Sequence, residues 1–104
     1  MKTGAELIAI ERERQIKEEG WTSQHDDRMY ANTHCLSMAA ASYALPDHLR
    51  YDPKGSTMPT IGNQYLWPWE SKWFKPSPED RIKELTKAGA LIAAEIDLLI
   101  RNQK

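Results

Sequence analysis

A histidine followed by two aspartates is the first group of side chains in the sequence that could do chemistry. His25, Asp26 and Asp27 come shortly after Trp21 and Gln24. An imidazole nitrogen and two carboxylates can hold a divalent cation, and a histidine beside a carboxylate can also act as a base. The alternative is structural: Asp26 or Asp27 caps a helix that begins here, and His25 is an exposed loop residue. The sequence leaves both interpretations open.

Glu95 is a second candidate. It lies at helical spacing from Leu91 and Leu99, so its carboxylate is expected at the edge of an apolar helix face. A carboxylate in that position needs a partner. The partner is either a metal ion or a basic side chain such as Arg14, and the two are equally compatible with the pattern. Asp97 is expected on the other side of the helix, in solvent.

Three of the four tryptophans lie in one short segment, LWPWESKWFKP, at residues 66–76. Tryptophan rings can pack in a core or stack on a nucleobase. Lysines and arginines occur in this segment and in the first predicted helix, and a pocket with aromatic and cationic walls suits a phosphorylated, base-containing ligand. The candidate ligand-binding residues are Arg12, Arg14, Trp21, His25, Trp67, Trp69, Trp73, Lys75 and Arg81.

Composition excludes several other classes of protein. The 104 residues include 14 basic and 15 acidic side chains, so bulk positive charge for long nucleic acids is absent. The single cysteine, Cys35, rules out an internal disulfide and a thiolate zinc cage. No apolar run is long enough to span a membrane, and the first residues do not resemble a signal peptide. These features favour one cytoplasmic domain spanning residues 1–104.

The positions of the prolines divide the chain into helical and non-helical parts. All six lie between Pro46 and Pro78, and proline interrupts helices. We expect helices at about 3–19, 27–44 and 78–101, joined between the second and third by a long Pro/Trp-rich loop at 45–77. Helix starts are predicted from a Thr3–Glu6 capping box and a Ser77 cap, and Gly20 is expected to end the first helix.

The third predicted helix has a heptad pattern. Its apolar positions step by 3, 4, 3, 4 and 3 residues, the spacing of a helix–helix seam. The small residues at 39–42 and 88–94 favour close helix packing. We therefore predict an all-α bundle of three main helices around this seam, completed by a second copy in a homo-oligomer. The seam residues are Ile82, Leu85, Gly89, Ile92, Ile96 and Leu99.

Three stretches of the chain resemble a group of small proteins encoded by phages and prophages. They are the opening ERERQIKEEGWTSQHDD, the WPWESKWFKP segment and the ending RIKELTKAGALIAAEIDLL. The resemblance covers nearly the whole chain. It implies a phage-type protein in the cytoplasm of a bacterial host, and it implies no particular activity.

A more distant resemblance is to phage members of the MazG-like all-α nucleotide pyrophosphohydrolase superfamily. It rests on Glu11 to Gln15 and on the helix from Arg81 to Ile96. It implies helical oligomers that bind Mg²⁺ through carboxylates and hydrolyse nucleoside triphosphates, with Glu11 and Glu95 as the matching carboxylates. The chain departs from this pattern because residues 28–46 contain no carboxylate where the superfamily has an acidic helix.

Three functions remain open. The first is binding of a nucleotide or nucleotide-derived signal without turnover, which would sequester a host defence signal. The second is a degenerate Mg²⁺-dependent pyrophosphohydrolase, for which two-metal chemistry needs converging carboxylates. The third is a protein-interaction module in which the tryptophans bury a partner. The carboxylates available to a hydrolase are Asp26, Asp27, Glu11 and Glu95.

Overall fold

The computed structural model describes residues 1–50, 59–61 and 64–103. Four α-helices account for most of these residues: α1 (Gly4–Glu19), α2 (Ser23–Tyr30), α3 (Cys35–Ala44) and α4 (Arg81–Arg101). The segment between α3 and α4 holds 3₁₀ turns at Asp47–Leu49 and Ser71–Trp73, and two antiparallel two-residue strands, β1 (Thr60–Ile61) and β2 (Gln64–Tyr65). The all-α prediction is therefore confirmed. The predicted loop at 45–77 contains short elements, and its residues 51–58 and 62–63 lie outside the described part of the chain.

The first helix begins and ends where the sequence predicts. Thr3 Oγ1 accepts a hydrogen bond from the Glu6 amide at 3.2 Å, and Glu6 Oε1 accepts one from the Thr3 amide at 3.1 Å. These two bonds form the capping box. Gly20 closes the helix with a φ of 73°, a left-handed conformation that glycine adopts without a steric cost.

The predicted single helix over 27–44 is wrong, because the chain breaks between α2 and α3. Asn32 and His34 both have positive φ values, 65° and 60°. Asparagine tolerates the left-handed region better than most residues. Thr33 Oγ1 donates to the Tyr30 carbonyl at 2.8 Å and so satisfies one of the last carbonyls of α2. The result is four helices instead of three.

The core forms where α3 packs on α4, and small residues allow this close packing. Ala39 and Ala40 are buried on α3, and they face a buried side of α4 that includes Ala88 and Leu91. The predicted heptad seam is not this core. Its five large side chains are 46–68 % exposed, because α3 packs on a different side of the same helix. The small-residue prediction is confirmed, and the seam prediction is wrong for the isolated chain.

α1 approaches α4 closely at Gly89. A Cβ atom at this position would overlap the Ile8 side chain, so only glycine leaves room for it. Gly89 is thus a packing residue: its lack of a side chain lets α1 lie directly against α4.

Two arginines and a glutamate join the end of α3 to the start of α4. Arg50 and Glu84 are fully buried, and Arg50 Nη2 lies 2.8 Å from Glu84 Oε2. Arg50 also donates to the carbonyls of Ser42 and Tyr43, each at 3.0 Å. Arg81 Nη1 lies 2.9 Å from Glu84 Oε1. These contacts satisfy carbonyls that the end of a helix leaves without partners.

The start of α4 differs from the prediction. Asp80, and not Ser77, caps the helix, since Asp80 Oδ1 accepts from the Lys83 amide at 3.1 Å. The Ser77 amide instead donates to Glu84 Oε2 at 2.8 Å. α4 therefore begins at Arg81, three residues later than predicted.

We predict that Glu84→Gln lowers the free energy of unfolding at neutral pH by about 3–5 kcal/mol, the usual cost of breaking a buried ion pair. Burial alone would raise the pKa of Glu84, but hydrogen bonds from Arg50, Arg81 and Ser77 outweigh it and lower the pKa. The stabilisation is therefore complete above the pKa of an unfolded glutamate and is lost as the pH falls through the lower pKa of the folded state.

Urea unfolding of the wild type and the variant at neutral and at acid pH checks this. The difference between the two proteins should shrink in acid. The exposed Glu79 just before α4 provides the control, and Glu79→Gln should change stability by less than about 0.5 kcal/mol. A constant difference at every pH would show that the charge of Glu84 is not what stabilises the junction.

Candidate functional site

A cavity of about 880 Å³ lies between α1, the tryptophan segment and α4. Its walls come from every helix, and from the chain between α1 and α2 as well as between α3 and α4. One part of the wall is aromatic and another is charged. The lining residues are Glu11, Arg14, Gln15, Glu19, Trp21, Tyr30, Tyr43, Trp67, Pro68, Trp69, Glu70, Trp73, Lys75, Lys87 and Leu91.

Trp69 is the centre of the aromatic wall. Its ring centroid lies 5.3 Å from that of Trp67 in an edge-on arrangement, 5.5 Å from that of Tyr30 and 6.2 Å from that of Trp21. These are favourable distances for aromatic pairs. Trp69 is half-buried and packs against the core, so its ring is held in place by three aromatic neighbours.

Tyr43 and Trp67 belong to the core and to the cavity wall at once. Both are only 6 % exposed, and their centroids are 5.5 Å apart. The Tyr43 hydroxyl accepts a hydrogen bond from the Lys75 amide at 3.1 Å, and Trp67 Nε1 donates to the Glu70 carbonyl at 3.0 Å. Burial raises the pKa of the Tyr43 hydroxyl, so it stays protonated. The core thereby fixes the tryptophan segment against α3.

On its α1 side the cavity has two glutamates and one arginine, Glu11, Glu19 and Arg14. Arg14 makes a two-pronged contact with Glu11, at 2.8 and 2.9 Å, and reaches Glu19 at 2.9 Å. The hydrogen bonds that Arg14 donates to Glu11 raise the pKa of Arg14. Burial would raise the pKa of Glu11, but the bonds from Arg14 outweigh it and the pKa is lowered. Arg14 therefore has little unbalanced charge to offer a ligand.

Lys87 is differently placed. Its Nζ lies 5.2 Å from the centroid of the Tyr43 ring and donates to the Lys75 carbonyl at 3.3 Å. Burial, with a contribution from nearby Lys83, lowers the pKa of Lys87. In the part of the chain that the structure describes, neither Lys87 nor Lys75 is paired with a carboxylate. These two lysines are the cations that the cavity can offer to an anion.

Six of the nine predicted ligand-binding residues line this cavity, and three do not. Those that line it are Arg14, Trp21, Trp67, Trp69, Trp73 and Lys75. Arg12 and His25 instead contact Asp26. Arg81 donates to the carbonyls at the end of α3, including that of Ala44 at 2.8 Å.

A second polar group lies around Asp26, which is fully buried. Arg12 Nη2 lies 3.5 Å from Asp26 Oδ2, and His25 Nδ1 lies 3.3 Å from Asp26 Oδ1. Burial raises the pKa of Asp26 against the opposing effects of His25 and Arg12. The predicted aspartate cap is wrong: Thr22 Oγ1 caps α2 by accepting from the His25 amide at 3.2 Å. Asp26 has a structural role between α1 and α2.

The four carboxylates proposed for a hydrolase do not form one group. Each has a different basic neighbour, and the predicted Arg14–Glu95 pair is absent among the described residues. Across residues 1–50, 59–61 and 64–103, no three His, Cys, Asp or Glu side chains are arranged to hold a metal ion. The observed pairs are Glu11–Arg14, Asp26–Arg12, Asp27–Arg101 and Glu95–His34.

Sequence reasoning missed several residues of the cavity, above all Lys87, Tyr43 and Tyr30. Lys87 lies one helical turn before buried Leu91, so it could have been found if the buried side of α4 had been known. The two tyrosines lie in the predicted second helix, but a continuous helix gives no reason for both to face the tryptophan segment.

No protein family, curated protein or solved structure matches this chain. Among the described helices, none is both long and apolar enough to cross a membrane.

Trp67 is buried and Trp73 is exposed, so replacing each with alanine should affect stability very differently. Trp67→Ala should lower the free energy of unfolding by about 3–5 kcal/mol, because it leaves a void in the core. Trp73 is 58 % exposed, so Trp73→Ala should change stability by less than about 0.5 kcal/mol. Chemical denaturation followed by circular dichroism measures both. Equal effects would contradict the assignment of Trp67 to the core.

Proposed function

We propose that the aromatic cavity binds a nucleotide or a nucleotide-derived signal without turning it over. The observation that carries this proposal is the pairing, in one cavity, of a tryptophan wall with two lysines that lack carboxylate partners among the described residues. The cavity volume of about 880 Å³ is within the usual range for small-ligand sites, which is roughly 300–1,000 Å³.

The base of the ligand would stack on Trp69. Base–aromatic stacking contributes about 1–3 kcal/mol per base and depends little on base identity. The ring is already held by Trp67, Tyr30 and Trp21, so its ordering costs little when the ligand binds. This arrangement supports recognition of a planar, aromatic group.

The phosphate would contact Lys87 and Lys75. The two residues are adjacent, since Lys87 Nζ donates to the Lys75 carbonyl. The desolvation that lowers the pKa of Lys87 would be offset by an anion beside it, so phosphate binding should be accompanied by proton uptake at alkaline pH.

The acidic groups of the cavity support binding without turnover. Glu11 and Glu19 both contact Arg14, so the two carboxylates share one guanidinium group. Among the residues that the structure describes, neither belongs to a group of three acidic, histidine or cysteine side chains that could hold the ions required for two-metal hydrolysis. In the cytoplasm of a bacterial host, a phage-type binder of this kind would lower the free concentration of a defence signal.

The proposal predicts that Trp69→Ala and Lys87→Met weaken nucleotide binding, Trp69→Ala by about 5- to 150-fold from the loss of stacking. The protein is incubated at stoichiometric concentration with a panel of linear, cyclic and ADP-ribose-type nucleotides, with Mg²⁺ or with EDTA. The small molecules are then chromatographed before and after heat denaturation. A bound nucleotide disappears from the free pool and returns intact on denaturation, in EDTA as well as in Mg²⁺.

Two exposed residues outside the cavity provide matched controls. Tyr65 is 67 % exposed and Lys2 is exposed before α1. Tyr65→Ala and Lys2→Met should therefore change affinity less than twofold. New product peaks would show that the protein hydrolyses the nucleotide and would contradict binding without turnover. If the concentration of every free nucleotide stays unchanged, nucleotide binding is contradicted for the species tested.

A further inference from the structure

Gln15 is a residue of the cavity wall whose polar side chain is only partly satisfied. It lies on α1, is 3 % exposed and lines the cavity. Its amide nitrogen donates to Glu11 Oε2 at 3.2 Å. Its Oε1 atom is buried and has no hydrogen-bond partner in the part of the chain that the structure describes. Such an oxygen is uncommon, because it has lost its hydrogen bonds to water and gained none in return.

The contact with Glu11 fixes which atom of the Gln15 amide lacks a partner. An ionised carboxylate accepts hydrogen bonds and cannot donate them, so the amide nitrogen must face Glu11. Turning the amide over would place two acceptors against each other. The nitrogen has two N–H groups, and it donates one of them to Glu11. Gln15 therefore has an acceptor and a second N–H donor to offer a ligand.

Gln15 lies on the side of α1 that borders the aromatic wall. Its backbone carbonyl accepts a hydrogen bond from the Trp21 amide at 3.2 Å, and the Trp21 ring centroid lies 6.2 Å from that of Trp69. Glu11, Gln15 and Glu19 follow one another at intervals of four residues, as residues on one helix face do. All three line the cavity. This face of α1 is therefore directed at the space beside the tryptophan wall.

The α1 wall offers a ligand more acceptors than donors. Arg14 uses four of its five N–H groups in hydrogen bonds to Glu11, Glu18 and Glu19. The carboxylates of Glu11 and Glu19 and the Oε1 atom of Gln15 are all acceptors. A ligand edge that fits this wall has an N–H group to donate, whereas a carbonyl oxygen in the same place would meet other acceptors.

We infer that Gln15 selects adenine as the base that stacks on Trp69, an inference that rests on the proposed nucleotide-binding function. The amino group of adenine would donate to Gln15 Oε1, and a neighbouring ring nitrogen would accept the second N–H of the amide. A glutamine amide reads adenine in this two-pronged way in nucleic-acid complexes. The amino group thus supplies the hydrogen bond that the buried oxygen lacks.

The same contact would reject related bases that have no amino group. Purine lacks the group altogether, and hypoxanthine has a carbonyl oxygen in its place. A site built to hydrogen-bond a group of its ligand discriminates strongly against analogues that lack the group. The ribose hydroxyls, which could also donate to Gln15 Oε1, are identical in the nucleotides of all three bases. A contact with the ribose would therefore produce no discrimination among them.

Dissociation constants of three nucleoside monophosphates test this inference. They are AMP, the monophosphate of purine riboside, and IMP, each titrated into the wild-type protein and followed by calorimetry. AMP should bind about 5- to 150-fold more tightly than either analogue, because only AMP pairs the buried oxygen. Equal affinities for AMP and the purine riboside monophosphate would overturn the inference.

Gln15→Met tests whether Gln15 itself is responsible, because methionine is similar in length and has no amide. The preference for AMP over the purine riboside monophosphate should fall to less than about twofold, and circular dichroism checks that the helices are kept. Gln24 is an exposed glutamine of α2 that does not line the cavity, so Gln24→Met should keep the full preference. A folded Gln15→Met protein that also keeps it would overturn the role of Gln15.

Failure of this inference is distinguishable from failure of the proposed function. If some nucleotides of the larger panel bind but none that contains adenine does, the choice of adenine is overturned and nucleotide binding stands. If no nucleotide binds, the proposed function is contradicted, and the choice of adenine with it. The comparison of the three monophosphates uses the wild type alone, so it decides the preference for adenine even if Gln15→Met does not fold.

Discussion

The buried contact of Arg50 and Arg81 with Glu84 is the interaction on which the rest of this structure depends. Two guanidinium groups and one carboxylate are taken out of water, and the cost is offset because nearly every polar atom finds a partner. The arginines also satisfy the carbonyls at the end of α3. One cluster thus ends α3, aligns the start of α4 and holds the chain that leads to the tryptophans.

The cavity depends on this junction through Tyr43. The carbonyl of Tyr43 is held by Arg50, and its hydroxyl accepts from the Lys75 amide. Its ring contacts both Trp67 and Phe74. The buried ion pairs therefore position Tyr43, and Tyr43 in turn positions the aromatic wall of the cavity. This explains how a segment with several prolines and little regular structure can present a defined surface.

The sequence predicted those features that depend on local interactions. The Thr3–Glu6 box and the Gly20 ending involve residues three to five positions apart, and the structure confirms them. The break at Asn32 and His34 had a local signal in the asparagine, but the apolar pattern on both sides favoured one helix. The orientation of α4 was missed for a different reason. Its buried side includes Glu84 and Glu95, and these charges made the wholly apolar stripe look like the core.

The cavity residues were predicted only in part, because their meeting depends on contacts distant in sequence. The tryptophans were identified by type, yet Lys87 becomes relevant only once α4 is oriented and the Lys75 carbonyl is placed beside it. Arg81 was predicted to contact a ligand because it is charged. In the structure it donates hydrogen bonds to the carbonyls at the end of α3 instead. Residue type indicates which chemistry is available, but the partner of each charge is decided by tertiary packing.

The sharing of Tyr43 and Trp67 between core and cavity has a consequence for selectivity. Close-packed interiors do not deform continuously, so this wall cannot move outward to admit a larger molecule without disturbing the packing of α3 on α4. The cavity should therefore discriminate by size and shape, as a rigid template, and a bulky analogue would be rejected outright. New ligand preferences would have to arise at its rim, where Trp73 and Glu70 are exposed, because changes at the back of the cavity would also change the fold.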